Sequence, residues 1–140
     1  MNVGFYLTTN DQYTDSMFNE IANALSSGLI KDAAIFVDNI FFTSSRKSCA
    51  IYESCDLWSF SGKLIVSEIR LLEKAKNIVN DIDLYYYFGF EKINPIRMLI
   101  EKDLKVIANG EKLGKEYFRL TNKKPTAISN GYENIVSKIL

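Results

Sequence analysis

Short, uninterrupted apolar runs recur along this chain, and each hands over to polar residues. Val3-Gly4-Phe5-Tyr6-Leu7 gives way to Thr8-Thr9-Asn10, and Ala33-Ala34-Ile35-Phe36-Val37 to Asp38-Asn39. Leu84 to Phe88 leads into Gly89-Phe90-Glu91, and Leu104 to Ala108 into Asn109-Gly110. Runs of this length without polar alternation read as strands buried on both faces, the signature of a parallel sheet. Two shorter runs repeat the pattern: Cys49 to Tyr52 before Glu53-Ser54, and Thr126 to Ile128 before Ser129-Asn130-Gly131.

Helical periodicity fills the intervals. Met17, Ile21 and Leu25 recur every fourth residue, with Phe18 and Ala22 widening the stripe. Asn10 or Thr14 suits the cap of this helix, Asp11 and Asp15 favour its positive end, and Gly28 suits its termination. Residues 60–79 read two ways. Leu64-Ile65-Val66 is a short strand that ends at Ser67 as a helix cap, or the helix begins near Gly62. The β-branched residues ahead of a good cap favour the strand, leaving Leu71, Leu72, Ala75, Ile78 and Val79 as the buried stripe. Asn94-Pro95 marks a helix start, with Ile96, Leu99 and Ile100 on its apolar side. Leu113, Tyr117 and Leu120 mark another helix, and residues 133–140 begin a last one. Strands alternating with crossover helices predict one α/β domain over residues 1–140: an open, doubly wound, mostly parallel, Rossmann-like sheet of about six or seven strands with helices on both faces.

Composition narrows the chemistry. Seventeen basic and seventeen acidic residues cancel, which argues against nucleic acid or an anionic membrane as the dominant partner. Lys123-Lys124 is the densest basic spot. There is no histidine, so Ser-His-Asp and Cys-His catalysis and the usual zinc sites are excluded within this chain. No metal and no cofactor is expected. No apolar run reaches the length of a membrane span, and the N-terminus lacks a basic, cleavable leader. Cys49 and Cys55, separated by about 20 Å of extended chain, lie beyond disulfide reach. They are expected to be reduced and buried in a cytoplasmic protein.

In such sheets ligands bind beyond the carboxyl ends of the strands. The candidate ligand-binding residues are therefore Thr8, Thr9, Asn10, Asp38, Asn39, Ser67, Glu68, Gly89, Glu91, Asn109, Asn130 and Gly131. Several also suit structural roles: Asn10, Ser67 and Asn109 as helix caps, Asp38 and Asn39 as a turn. Glu68 and Glu91, each just beyond a strand, are the candidate acid–base carboxylates, with Glu53 a third. The first strand–helix junction has neither a G-x-G-x-x-G nor a P-loop pattern, and Asp11 and Asp15 oppose a phosphate there. A signalling receiver is also disfavoured, because the first strand does not end in an acidic pair.

Three stretches carry a family resemblance: "LWSFSGKLIVSE" (57–68), "DLYYYFGFE" (83–91) and "LKVIANGEKLGKEYFRLTNKKPTAISNGYENI" (104–135). Together they resemble the N-terminal, acceptor-side domain of GT-B glycosyltransferases, especially short glycosyltransferase-like proteins of tailed phages. The resemblance implies a sugar or nucleotide-like ligand at the strand ends, in a polar cleft shared by Thr9, Glu68, Glu91 and Asn130. It also implies that the donor-binding half of the chemistry comes from a second chain or from self-association, within the host cytoplasm if the protein is viral. The alternative is a non-enzymatic, homodimeric interaction module. Its interface candidates are Trp58, Phe60, Phe90, Tyr117 and Tyr132, drawn from an aromatic content of 13%.

Overall fold

The computed structural model describes residues 2–9, 13–39, 49–78, 81–89, 91, 99–101 and 103–140. Its strands are β1 (Asn2–Thr9), β2 (Asp32–Asn39), β3 (Ala50–Glu53), β4 (Gly62–Val66), β5 (Ile82–Phe88), β6 (Lys105–Asn109) and β7 (Ala127–Ser129). They form one seven-stranded sheet in the order β3-β2-β1-β4-β5-β6-β7. Every neighbouring pair is parallel. The helices are α1 (Tyr13–Ser26), a 3-10 helix (Ser54–Ser59), α2 (Ile69–Lys76), α3 (Glu111–Thr121) and α4 (Ile135–Ile139). This is the expected open, doubly wound α/β sheet, Rossmann-like in its strand order.

Two cores sandwich the sheet. On one face Val3, Phe5, Ile35, Ile65, Tyr87 and Ile107 pack against Met17, Ile21 and Ala24 of α1 and Ile135, Val136 and Ile139 of α4. On the other, Tyr6, Phe36, Leu64, Val66, Tyr86 and Val106 pack against Leu57, against Leu71, Leu72 and Ala75 of α2, and against Leu99 and Tyr117. The period-2 pleat sorts the tyrosine run: Tyr85 and Tyr87 enter the first core, Tyr86 the second.

Residues 60–66 resolve in favour of the strand, with β4 starting at Gly62. Helix α1 starts at Tyr13, so Thr14 lies inside it, and Gly28 (φ +71°) follows its end as expected. The stripe of α1 differs by one residue: Ala24 is buried and Ala22 is exposed. Cys55 is exposed and Cys49 half-buried, and both are free. Burial, helped by Asp32, pushes the Cys49 thiol up to about 11, which keeps it protonated and inert at neutral pH. Tyr117 and Tyr132 are core residues, which removes them from any interface. Asn10, Phe90 and the helix start at Asn94-Pro95 lie outside the described residues.

The end of β5 is held by backbone geometry. Gly89 has φ +121°, and a Cβ there would fall 2.4 Å from Leu113 Cδ1 and 2.9 Å from Asn109 Cβ. Both the backbone region and the space therefore demand glycine. Gly89→Ala is expected to lower unfolding free energy by about 1–3 kcal/mol in urea titrations. A change within error would show that the turn relaxes freely.

Candidate functional site

The strand order reverses between β1 and β4. Chain runs leftward from β1 to β2 and β3, and rightward from β4 to β7. A doubly wound sheet opens its crevice at this point, beyond the carboxyl ends of the two strands. Pairing of Phe5 with Ile65 and Tyr6 with Val66 fixes the register. By strand alternation, Thr8 continues the face of Tyr6, and Glu68 continues the face of Val66.

The two side chains meet there. Thr8 Oγ1 lies 2.7 Å from both Glu68 Oε1 and Glu68 Oε2, donating to the carboxylate. Arg70 Nη2 reaches Thr8 Oγ1 at 3.4 Å. Asp38, at the end of β2, joins the same group: Tyr6 OH donates to its Oδ1 at 2.8 Å and Lys74 Nζ to its Oδ2 at 2.9 Å. Arg70 Nη2 stands 3.8 Å from Asp38 Oδ2. Arg70 and Lys74 sit four residues apart on α2, one turn along its outer surface.

Glu91 completes the group from beyond β5. Its Oε2 accepts from the Ile69 backbone N–H at 2.9 Å and from Tyr86 OH at 3.3 Å. The positive end of α2 is thus already occupied by a carboxylate from a distant segment, while Glu68 takes the cap position without a side-chain cap bond. Burial, then the charge and hydrogen bond of Glu91, raise the Tyr86 hydroxyl above its ordinary value. Burial and Asp38 do the same to Tyr6. Burial alone would raise Asp38, but hydrogen bonds from Lys74 and Tyr6 outweigh it and hold the carboxyl below the usual range.

The remaining candidates form a different group. Ser67 is not a helix cap: its hydroxyl turns inward to Tyr132 OH at 3.0 Å, and it is buried. Asn109 is not a cap either, since Gly110 precedes α3 and Asn109 Oδ1 accepts from the Gly131 N–H at 3.0 Å. Ser129 Oγ bonds the Glu133 carbonyl at 2.8 Å, and Tyr87 OH donates to the carbonyls of Ser129 and Gly131. Asn130 bridges to Glu133 in the same turn. These residues lock the end of β7 to the end of β6. The structure therefore brings Thr8, Asp38, Glu68 and Glu91 together, ties Asn109, Asn130 and Gly131 into a separate turn, and turns Ser67 inward to Tyr132. Asn39 and Thr9 end the paired strands β2 and β1.

Tyr6, Arg70, Lys74 and Tyr86 belong to the site and were not among the residues expected from sequence. The i,i+4 spacing of Arg70 and Lys74 behind Glu68 was the available signal. Among the described residues, no group of His, Cys, Asp and Glu is arranged to hold a metal ion. No helix among them is long and apolar enough to cross a membrane. No family model, curated protein or solved structure matches the chain.

The Asp38 network has a pH signature. Its folded pKa is depressed. Its stabilisation is therefore present above the unfolded aspartate value of about 3.9 and is lost as pH falls through the lower folded value. Asp38→Asn is expected to cost about 1 kcal/mol at pH 7, with the gap to wild type closing as pH falls below about 4. Chemical denaturation across that range reads the difference directly. A gap independent of pH would show that Asp38 acts by packing alone.

Proposed function

We propose that this chain is a glycosyltransferase-like domain that binds a sugar-bearing ligand in the β1/β4 crevice. The observation that carries the reading is the Thr8–Glu68 pair at the switch point, flanked by Arg70. A carboxylate offers about four lone-pair sites, and Thr8 supplies a single proton to Glu68. Among the described residues no other donor reaches that carboxylate. Vicinal hydroxyls match this unfilled acceptor capacity, and Thr8 and Arg70 add polar partners alongside. Phosphate recognition at the start of α2 fits poorly, because Glu91 already holds the Ile69 N–H. The sugar moiety is thus the recognised part, and Arg70 and Lys74, both more than half exposed, are the groups that would meet an attached phosphate. Glu68 is also the group placed to take a proton from an acceptor hydroxyl, with Glu91 holding the helix start beside it.

Thermal-shift and calorimetric titration with nucleotide-sugars, nucleotides and oligosaccharides tests the reading. A true ligand at a hundredfold excess over its dissociation constant stabilises by about 2.7 kcal/mol. Glu68→Gln and Thr8→Val are each expected to weaken sugar binding about tenfold or more while leaving the fold intact. No shift with any sugar-bearing compound, or equal binding by both variants, overturns the proposal.

A second reading, a self-associating module without catalysis, rests on one observation. Tyr52, on the edge strand β3, and Trp58, on the 3-10 helix that follows it, are 44% and 60% exposed. Light scattering at high concentration is expected to give a dimer mass on that reading, and a monomer mass excludes it.

A further inference from the structure

A cavity of about 400 Å³ opens at the opposite edge of the sheet, over the amino-terminal ends of β1 and β2. It is independent of the sugar crevice. Phe36, Tyr52 and Phe60 form the aromatic part of its wall, and Asn2, Ser59 and Ser61 add polar groups. Phe36 stacks on Tyr52 with ring centroids 5.8 Å apart and meets Phe60 edge-on at 5.3 Å. Ala34 leaves room on the sheet surface, and Asp32 and Asp56 stand at the rim.

The wall is fixed by the sequence beneath it. Gly4 lies in the interior of β1, where a branched residue would pack better. A Cβ at Gly4 would fall 2.9 Å from Phe60 Cζ and 3.2 Å from Cε1. The missing side chain at Gly4 therefore leaves room for the Phe60 ring to approach β1. Beyond that ring, the 3-10 helix places Asp56 at its first turn, and Ser59 Oγ donates to the Asp56 carbonyl at 2.8 Å. Asp32 is positioned at the start of β2 and accepts from the Ala33 N–H at 2.9 Å.

Among the described residues that line the cavity, the charged side chains are the carboxylates Asp32 and Asp56. Aromatic faces are negative, and both rim charges are carboxylates. Among the described residues that line the cavity there is no Lys or Arg, and neither Asp32 nor Asp56 takes part in an ion pair. We propose that this cavity binds an organic cation on an apolar stem, a guanidinium or ammonium whose stem lies against Phe36, Tyr52 and Phe60 while its charge meets Asp32 and Asp56. The free amine of a metabolite and the side chain of a partner's arginine present the same chemistry.

The test uses matched charged and neutral probes. Butylguanidine and butylurea share a stem and nearly a shape, and differ in charge. Binding is followed by amide NMR shifts and by the fluorescence of Trp58, the sole tryptophan, on the same 3-10 helix as Asp56. Butylguanidine is expected to bind at least about tenfold more tightly than butylurea. The Asp32→Asn/Asp56→Asn double variant is expected to erase that preference, and Tyr52→Leu to weaken both probes. All three positions are exposed, so these variants fold. A capped Gly-Arg-Gly peptide, set against its citrulline counterpart, separates the sources. Tighter binding of the arginine peptide than of butylguanidine identifies a partner side chain, and its exclusion identifies a small amine. Equal affinity for the charged and neutral probes, an unchanged preference in the double variant, or stronger binding of a methyl glucoside in the cavity overturns the proposal.

Discussion

The pairing of β1 with β4 is the contact on which the rest of the molecule depends. It joins a left half, β3-β2-β1, to a right half, β4 to β7. Because the chain moves in opposite directions on the two sides, right-handed crossovers send the connecting helices to opposite faces. Helix α1 covers the first face, and α2 and α3 cover the second. The helices thus diverge directly above the ends of β1 and β4. Thr8 and Glu68 lie side by side there because the pairing register leaves them no other place.

The charge arrangement around that crevice follows from the same geometry. Helix α2 begins immediately after β4, so its positive end points at the crevice. In many nucleotide-binding sheets such an end holds a phosphate. Here Glu91 arrives from beyond β5 and takes the Ile69 N–H, so the favourable dipole interaction is internal and permanent. Asp38 in turn ties β2, β1 and α2 through Tyr6 and Lys74. Among the described residues, Asp38 and Glu91 each accept from two donors, whereas Glu68 accepts from Thr8.

The strands and the assignment of faces were legible in the sequence, because burial on both sides writes itself as unbroken apolar runs and the pleat has period 2. The tyrosine run is the clearest case: alternation alone sorted Tyr85 and Tyr87 from Tyr86. What escaped was parity at the strand ends and contacts between distant segments. Ser67 and Glu68 are adjacent and equally polar, yet one follows Ile65 inward to Tyr132 and the other follows Val66 out to Thr8. Ser67 and Asn109 look like caps by composition, but both are taken by longer-range partners, Tyr132 and Gly131. The capping of α2 by Glu91 joins residues 22 apart in sequence, which no local pattern encodes. Ala24 in place of Ala22 is a smaller difference, a rotation of the buried stripe of α1.

The tyrosines show why core and site are one problem in this sheet. Each ring fills a core layer as phenylalanine would, but its hydroxyl projects further toward the strand ends. Tyr6 carries a hydrogen bond from the interior to Asp38, Tyr86 to Glu91, and Tyr87 to the Ser129 and Gly131 carbonyls. A buried hydroxyl without a partner is costly, so each pairing is enforced by the packing of the ring beneath it. The rings therefore set where the edge carboxylates and turns stand. Repacking the core would move the site.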